Sequence, residues 1–590
     1  MAVDESGYWS THLAQAKAGT RYKYRLNGTD WFPDPASRYQ PEGPHGDSQV
    51  IDSASFQWTD SHWRGITLAK SVIYELHIGT FTKEGTWSAA REQLPQLAEL
   101  GITVLEVMPV NGFSGKFGWG YDGVNQYAPV ALYGEPDDFR GFVDRAHELG
   151  MATILDVVYN HLGPDGNYLP SFSRHYFAAE HETDWGEAIN FYAEHSGPVR
   201  EYFIANAGYW IEEFHLDGLR LDATQNIYDK SKDHILSAIA REVRLRAGKR
   251  SAILIGENEP QDTKLVRKEA EGGYDLDGLW NDDFHHSAMV RLTGHNEAYY
   301  TDYRGSPQEF VSAAKYGYLY QGQWYAWQKL RRGTPALDLP HTCFVNFIQN
   351  HDQVANSARG QRAHQLTSAG LNRAVTALTL LMPGVPMLFM GQEFGASSPF
   401  LYFADQKEDI AVLVREGRRK FLAQFRSLAL PEMWSAFADP CDVGTFERCK
   451  LDHGERDTNR HIFDMHKDLL RLRREHAAFQ RQEQGFVDGA VLSPDAFVLR
   501  FFGREALDER LLIVNFGLDL LLNPAPEPLL APPQACEWNV LWSSEAPAYG
   551  GCGTPQLDTV ENWKVPGQAA VVLYPAKRER TNFSSLGECE

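Results

Sequence analysis

From residue 71 the chain alternates short apolar runs with amphipathic ones. SVIYELHIGTF (71–81) reads as a buried strand, and WSAAREQLPQLAELG (87–101) has helical spacing closed by a glycine. ITVLEVMPV (102–110) is the next strand, and PDDFRGFVDRAHELG (136–150) a helix with an acidic first turn. ATILDVVYNH (152–161), DGLRLDA (217–223), AILIGENE (252–259) and the short GLWNDDF (278–284) read as further strands. Helical patterns at 199–215 and 233–248 separate them. CFVNFIQNHD (343–352) and VPMLFMGQEF (385–394) are strands on either side of a helix at 371–382. Apolar strands parted by helices predict a parallel sheet with helices outside. Eight strands predict a closed (β/α)8 barrel, with an open doubly wound sheet as the alternative.

The flanks have another rhythm. RYKYRLNGTDWFPD alternates and turns at Asn27-Gly28, so residues 1–65 are expected to form a short N-terminal β-sandwich-like domain. The barrel is expected over 66–484. FVLRFFG, RLLIVNFG and AAVVLYP predict an antiparallel C-terminal β domain over 485–577, and 578–590 is expected to be a disordered tail. Insertions at 111–135, 162–197 and 295–340 are expected to follow strands, which places them on the face where barrels build their sites.

Charge and composition narrow the chemistry. The formal charge of −22 argues against nucleic acid or an anionic membrane as partner. Six scattered cysteines without a CxxC pair predict reduced thiols, and MAVDESGYWS shows no secretory signal, so a cytoplasmic location is expected. No apolar run is long enough to span a membrane. Aromatic residues reach 12%, an abundance that suits stacking on sugar rings.

The polar residues of the strands gather at their C-terminal ends. The third strand ends in Asp156, Tyr159, Asn160 and His161, and the fourth in Arg220 and Asp222. The fifth ends in Glu257 and Glu259, and the seventh in Asn350, His351 and Asp352. In a barrel these clusters converge on one mouth. Converging carboxylates suit glycoside chemistry, in which one attacks or stabilises the anomeric carbon and another, its pKa raised, protonates the leaving oxygen. Arg220 and Asp222 are two apart on a strand and so share a face, while Leu219 and Leu221 face outward.

DVVYNH, GLRLD, GENE and NHD, in that order and on those strands, resemble the four signature regions of the α-amylase family of retaining glycoside hydrolases and transglycosylases. The resemblance implies Asp222 as nucleophile, Glu257 as general acid/base and Asp352 as the carboxylate that holds sugar hydroxyls. It further implies that Arg220 orients Asp222, that His161 and His351 bind the sugar in subsite −1 with Asn350 beside them, and that Tyr121 stacks on that sugar. Longer segments, among them PDPASRYQPEGPHGDSQV, GGYDLDGLWNDDFHHS and GQEFGASSPFLYFAD, are similar to the trehalose-releasing members of that family. This implies cleavage of the α-1,4 bond next to the terminal α,α-trehalose unit of a maltooligosyltrehalose, a substrate made by a partner synthase. No cofactor and no metal are implied. Asp283 and His286 are the candidates for contacts to the trehalose moiety, with bracing of the loop as the other possibility.

Three departures stand out. The N-terminal segment is shorter than the family's β-sandwich, and Gln225 and Gln406 replace residues that are more often His, or His or Phe. A branching or debranching enzyme of the same family is the nearest alternative. A carbohydrate-binding scaffold is the non-enzymatic one, and it would be expected to have lost part of the triad.

Overall fold

The computed structural model describes residues 1–578 apart from Ser6, Thr29, Asp184, Trp185 and Val560. The expected tail therefore lies, but for its first residue, outside the described residues. Eight parallel strands close a barrel: β1 (Ile73–Leu76), β2 (Val104–Val107), β3 (Ala152–Val157), β4 (Gly218–Leu221), β5 (Ile253–Gly256), β6 (Gly278–Trp280), β7 (Phe344–Phe347) and β8 (Val385–Phe389). Each strand pairs with the next, and β8 returns to β1. The long helices are α1 (Leu94–Leu100), α2 (Pro136–Glu148), α3 (Ser196–Glu213), α4 (Ile235–Ala247), α5 (Asp282–Thr293), α6 (Pro307–Tyr316), α7 (Ala369–Leu381), α8 (Glu408–Leu422) and α9 (Arg460–Glu475). Between β5 and β6 the chain makes 3-10 turns (Thr263–Leu265, Glu269–Glu271) in place of an α-helix.

The period of two along each strand sorts side chains into two cores. Ile73, Val104, Ile154, Ile255, Val345 and Met387 fill the barrel interior. Tyr74, Leu105, Leu155, Leu219, Leu221 and Leu388 pack outward under the helices. Two residues beyond the inner apolar tier the same inward face carries Glu75, Glu106, Asp156 and Arg220. The register places Glu75 beside Glu106 and Asp156 beside Arg220.

One glycine makes this close pairing possible. Gly218 opens β4 at φ +152°, and a Cβ there would sit 1.8 Å from the carbonyl oxygen of Ile253 on β5. Backbone cannot yield as a side chain end would. Gly218→Ala is therefore expected to cost about 3 kcal/mol and to lower the urea midpoint clearly. An unchanged midpoint would show that β4 and β5 part freely here.

Other elements differ from the sequence reading. The sixth strand stops at Trp280, because the Asn281 side chain accepts from the Phe284 amide and starts α5, with Asp282 and Asp283 in its first turn. The 295–340 insertion consequently follows a helix rather than a strand, and it contributes α6 and a hairpin (Gln323–Tyr325 with Leu330–Arg332). The described residues of 1–65 form three separate two-stranded pairs, Ala2–Val3 with Trp9–Ser10, Arg21–Tyr22 with Ser48–Gln49, and Tyr24–Leu26 with Asp30–Phe32. The last pair turns at Asn27 and Gly28, both at positive φ, as its sequence predicts. The C-terminal sheet has five antiparallel strands: β9 (Val487–Ser493), β10 (Ala496–Phe501), β11 (Arg510–Asn515), β12 (Cys536–Ser543) and β13 (Ala569–Lys577), in the order β9-β10-β11-β13-β12. The edge strands β9 and β12 escape the sequence pattern because β9 has one buried residue and the burial of β12 does not alternate cleanly along its length.

Candidate active site

The barrel rim holds the candidate residues by backbone ladder bonds that run one residue past the strands. The Asp222 amide donates to the Val157 carbonyl at 3.1 Å, and the Glu257 amide to the Leu221 carbonyl at 3.0 Å. Asp352 lies in a short helix (His351–Ala355) whose start is capped by Asn350, its side chain accepting from the Gln353 amide at 2.8 Å. Arg418 of α8 closes the other end of that helix, donating to the Ala355 carbonyl at 2.5 Å and to Asn356 at 3.0 Å.

Arg220 is wholly buried and joins three carboxylates. Its Nη1 donates to Asp156 at 2.7 Å and to Asp222 at 2.8 Å, and its Nη2 to Glu257 at 2.7 Å. The guanidinium lies over the Trp280 ring, 4.1 Å from the centroid. One cation thus draws the carboxyl groups after β4 and β5 together. Asn160 completes the hold on Asp222, donating from Nδ2 to its Oδ2 at 2.8 Å. Ala223, forced to φ 38°, turns its amide onto Glu257 at 3.0 Å. A non-glycine residue in that region is strained, and here the strain aims a donor at a carboxylate.

Exposure separates the wall from the surface. The side chains of Asp222, Glu257 and Asp352 are 13%, 23% and 42% exposed, whereas Asp156 is 2% exposed. Burial raises the Glu257 pKa against the pull of Arg220, and the charge of Asp222 adds to the rise. Burial likewise lifts Asp156 to about 7, again against Arg220. The site therefore pairs a carboxyl group biased toward its acid form with a carboxylate held by an arginine.

Tyr121 and His351 stack with their ring centres 5.2 Å apart. The Tyr121 hydroxyl lies 2.6 Å from Asp156 and 3.0 Å from His351 Nε2. Burial lowers His161 to about 4, which leaves it neutral, with Asn160 and the Tyr121 carbonyl as ring partners. Trp119 stands edge-on to His351 and donates to the Leu401 carbonyl at 3.0 Å, a wall position rather than a free platform. Glu393 is buried against the Tyr74 hydroxyl. Gln225 accepts from the Glu259 amide at 3.4 Å, and Gln406 donates to Asp122 at 3.0 Å.

Asp283 and His286 stand apart from this surface. Asp283 is fully buried on α5 and accepts from the Tyr303 hydroxyl and from the Leu319 and Tyr320 amides at 2.5, 2.7 and 2.8 Å. His286 is buried among Tyr299, Tyr300 and Tyr303. The helical start at Asn281 turns both inward and leaves Asp282 nearer the mouth. There Arg332, carried by the hairpin, donates to Glu259 at 2.6 Å and stands 3.6 Å from Asp282. Glu75 and Glu106, on the inner face of β1 and β2, are the residues the sequence reading passed over. Each is a lone acid on the inward period of an apolar strand, and that was the available signal. Among the described residues no group of three or more His, Cys, Asp or Glu side chains is arranged to hold a metal ion, and no helix is long and apolar enough to cross a membrane.

The alpha-amylase catalytic domain profile matches residues 51–195, and a domain of unknown function, DUF3459, matches 484–572. Malto-oligosyltrehalose trehalohydrolase from Deinococcus radiodurans is 41% identical over 85% of this chain and 81% of its own length. The enzyme of that name from Saccharolobus solfataricus is 42% identical over 81% of each chain. A crystal structure of a Salmonella typhimurium protein assigned to the alpha amylases superposes with a TM-score of 0.83 at 36% identity, covering 95% of this chain and 91% of that one. With the barrel, the charged rim and identity sustained along most of its length, the chain belongs to the malto-oligosyltrehalose trehalohydrolases of the α-amylase family.

Proposed function

We propose that this enzyme hydrolyses the α-1,4 bond next to the terminal α,α-trehalose unit of maltooligosyltrehalose, with Asp222 as nucleophile and Glu257 as acid and base. The Asp222 carboxylate bonds to the anomeric carbon as the bond to the leaving oxygen breaks, and Glu257 gives that oxygen its proton, which frees trehalose. Glu257 then takes a proton from water, the water oxygen bonds to the same carbon, and Asp222 leaves. The second product is a maltooligosaccharide with the α configuration retained. Double displacement of this kind requires the two carboxyl groups to lie about 5–5.5 Å apart.

The observation that carries the reading is the single guanidinium that grips both groups, Asp222 at 2.8 Å and Glu257 at 2.7 Å. It gives Asp222 a cationic partner that orients the carboxylate for attack, while burial keeps Glu257 biased toward the acid. Asp352 is assigned to the hydroxyls of the sugar in subsite −1, Tyr121 to its face, and His351, His161 and Asn350 to the surrounding support. The plus subsites are assigned to Glu259 and Asp282, braced from beneath by the buried Arg332. An upstream synthase is part of the same proposal, because the substrate must first have its reducing end converted to a trehalose unit. So is a cytoplasmic location, in keeping with the five described cysteines, all of them free.

A product assay tests the proposal. Maltotriosyltrehalose should yield trehalose and maltotriose, and maltopentaose should be cleaved much more slowly. Equal rates on both would make the protein a general α-glucan hydrolase.

A further inference from the structure

We propose that Glu75 is a positioning residue for this hydrolysis: it holds His351 in its doubly protonated form and so orients the chain His351–Tyr121–Asp156–Arg220 that grips Asp222 and Glu257. The inference rests on the proposed roles of those two carboxyl groups.

Counting donors leads to it. Asp156 Oδ2 accepts from Arg220 Nη1 at 2.7 Å, and the Tyr121 hydroxyl lies 2.6 Å from the same oxygen. An oxygen that already accepts from a guanidinium carries no proton to give, so Tyr121 spends its only hydrogen on Asp156. His351 Nε2, 3.0 Å from that hydroxyl, must then be the donor. His351 Nδ1 lies 2.5 Å from Glu75 Oε1, a carboxylate that can only accept, so this nitrogen donates as well. Both ring nitrogens carry hydrogen, and the ring is an imidazolium.

Glu75 is built for this task alone. It is 1% exposed, and its second oxygen accepts from the His351 amide at 3.1 Å, so both oxygens serve one residue. Its neighbour across the register, Glu106, has no hydrogen-bond partner for either oxygen among the described residues, and burial, with Glu75 beside it, holds Glu106 in its neutral acid form. A neutral Glu106 brings no rival charge to this corner, and both Glu75 oxygens are left to His351. The charged and titratable groups facing His351 are Glu75 and His77 from β1 and the turn after it, Glu106 on β2, Tyr121, Arg220 on β4, Glu257 after β5, and Asp352 beside it. Burial pulls the ring down, yet Asp352 and Glu75 outweigh it and raise it to about 9. A cation at that point stabilises negative charge on Asp352 and locks the ring against Tyr121.

The test is a double-mutant cycle with a substrate-free readout. Glu75→Gln is expected to lower kcat on maltotriosyltrehalose about 10- to 100-fold with KM within about twofold of the parent. Its alkaline limb should move acidward by about one pH unit or more. In a His351→Gln background the same change should cost less than about twofold, because Glu75 then has no imidazole to hold. Equal losses in both backgrounds, or a limb that stays or moves alkaline, would overturn the proposal. Without substrate, the imidazole resonance of His351, assigned by its absence in His351→Gln, should titrate near pH 9 in the parent and lower in Glu75→Gln. An unmoved titration would overturn it even if the enzyme proved to cleave another glucan, which separates this failure from failure of the assigned reaction. Should Glu75→Gln not fold, Glu75→Asp replaces it, with an intermediate acidward shift expected and an unshifted ring as the contrary result.

Discussion

Asp222→Asn is expected to lower kcat by about ten-thousand-fold or more while the protein remains folded. The amide oxygen can still accept from Arg220, which sits 2.8 Å from Asp222 Oδ1. The amide nitrogen, however, would face the Asn160 Nδ2 that now donates to Asp222 Oδ2 at 2.8 Å. Two donors then meet, and one hydrogen bond is lost, a cost of about 1 kcal/mol. Circular dichroism and the unfolding midpoint should therefore change little. The chemical step changes completely, because a neutral amide cannot bond to the anomeric carbon as a carboxylate does. Rates measured on maltotriosyltrehalose at saturating substrate decide the matter, and activity within about a hundredfold of the parent would remove Asp222 from the nucleophile's role.

Arg220→Met is expected to damage both stability and rate, by about 3–5 kcal/mol and about a thousandfold in kcat. Methionine fills much of the volume over Trp280 but leaves Asp156, Asp222 and Glu257 without their shared cation. The sign of the pH dependence follows. An acid whose pKa is higher in the folded state than in the unfolded one loses stability as pH rises between those two values. Burial already holds Asp156 at about 7 with Arg220 present, and removal of the arginine raises the folded-state values further. The variant's deficit in unfolding midpoint should be smallest near pH 5 and grow toward pH 8. A deficit that shrank over that range would sink the argument, and so would a kcat close to the parent's. The lost rate has the same origin, since a protonated Asp222 is no nucleophile.

Much of this protein was determined by its sequence alone. Periodicity determined which segments became barrel strands, because burial on both faces demands continuous apolar runs. The alternation in GLRLD determined that Arg220 and Asp222 share the inner face while Leu219 and Leu221 pack outward, since the period of a strand is two whatever surrounds it. Acids at the C-terminal strand ends were legible because that is the face of a parallel barrel on which the loops after the strands build a site. Only the tertiary structure decided what depends on contact between distant segments or on competition between local signals. Asn281 won such a competition by capping α5, which ended β6 at Trp280 and buried Asp283 and His286. Glu75 reads on its own as one polar residue in a strand. The closure of β8 onto β1 places it against His351, 276 residues along the chain. The ion pair of Arg332, on the hairpin, with Glu259 likewise joins residues 73 apart in the chain. Strand pattern and strand-end chemistry are short-range properties written in each segment, whereas the partner of a buried charge is chosen by barrel closure and register.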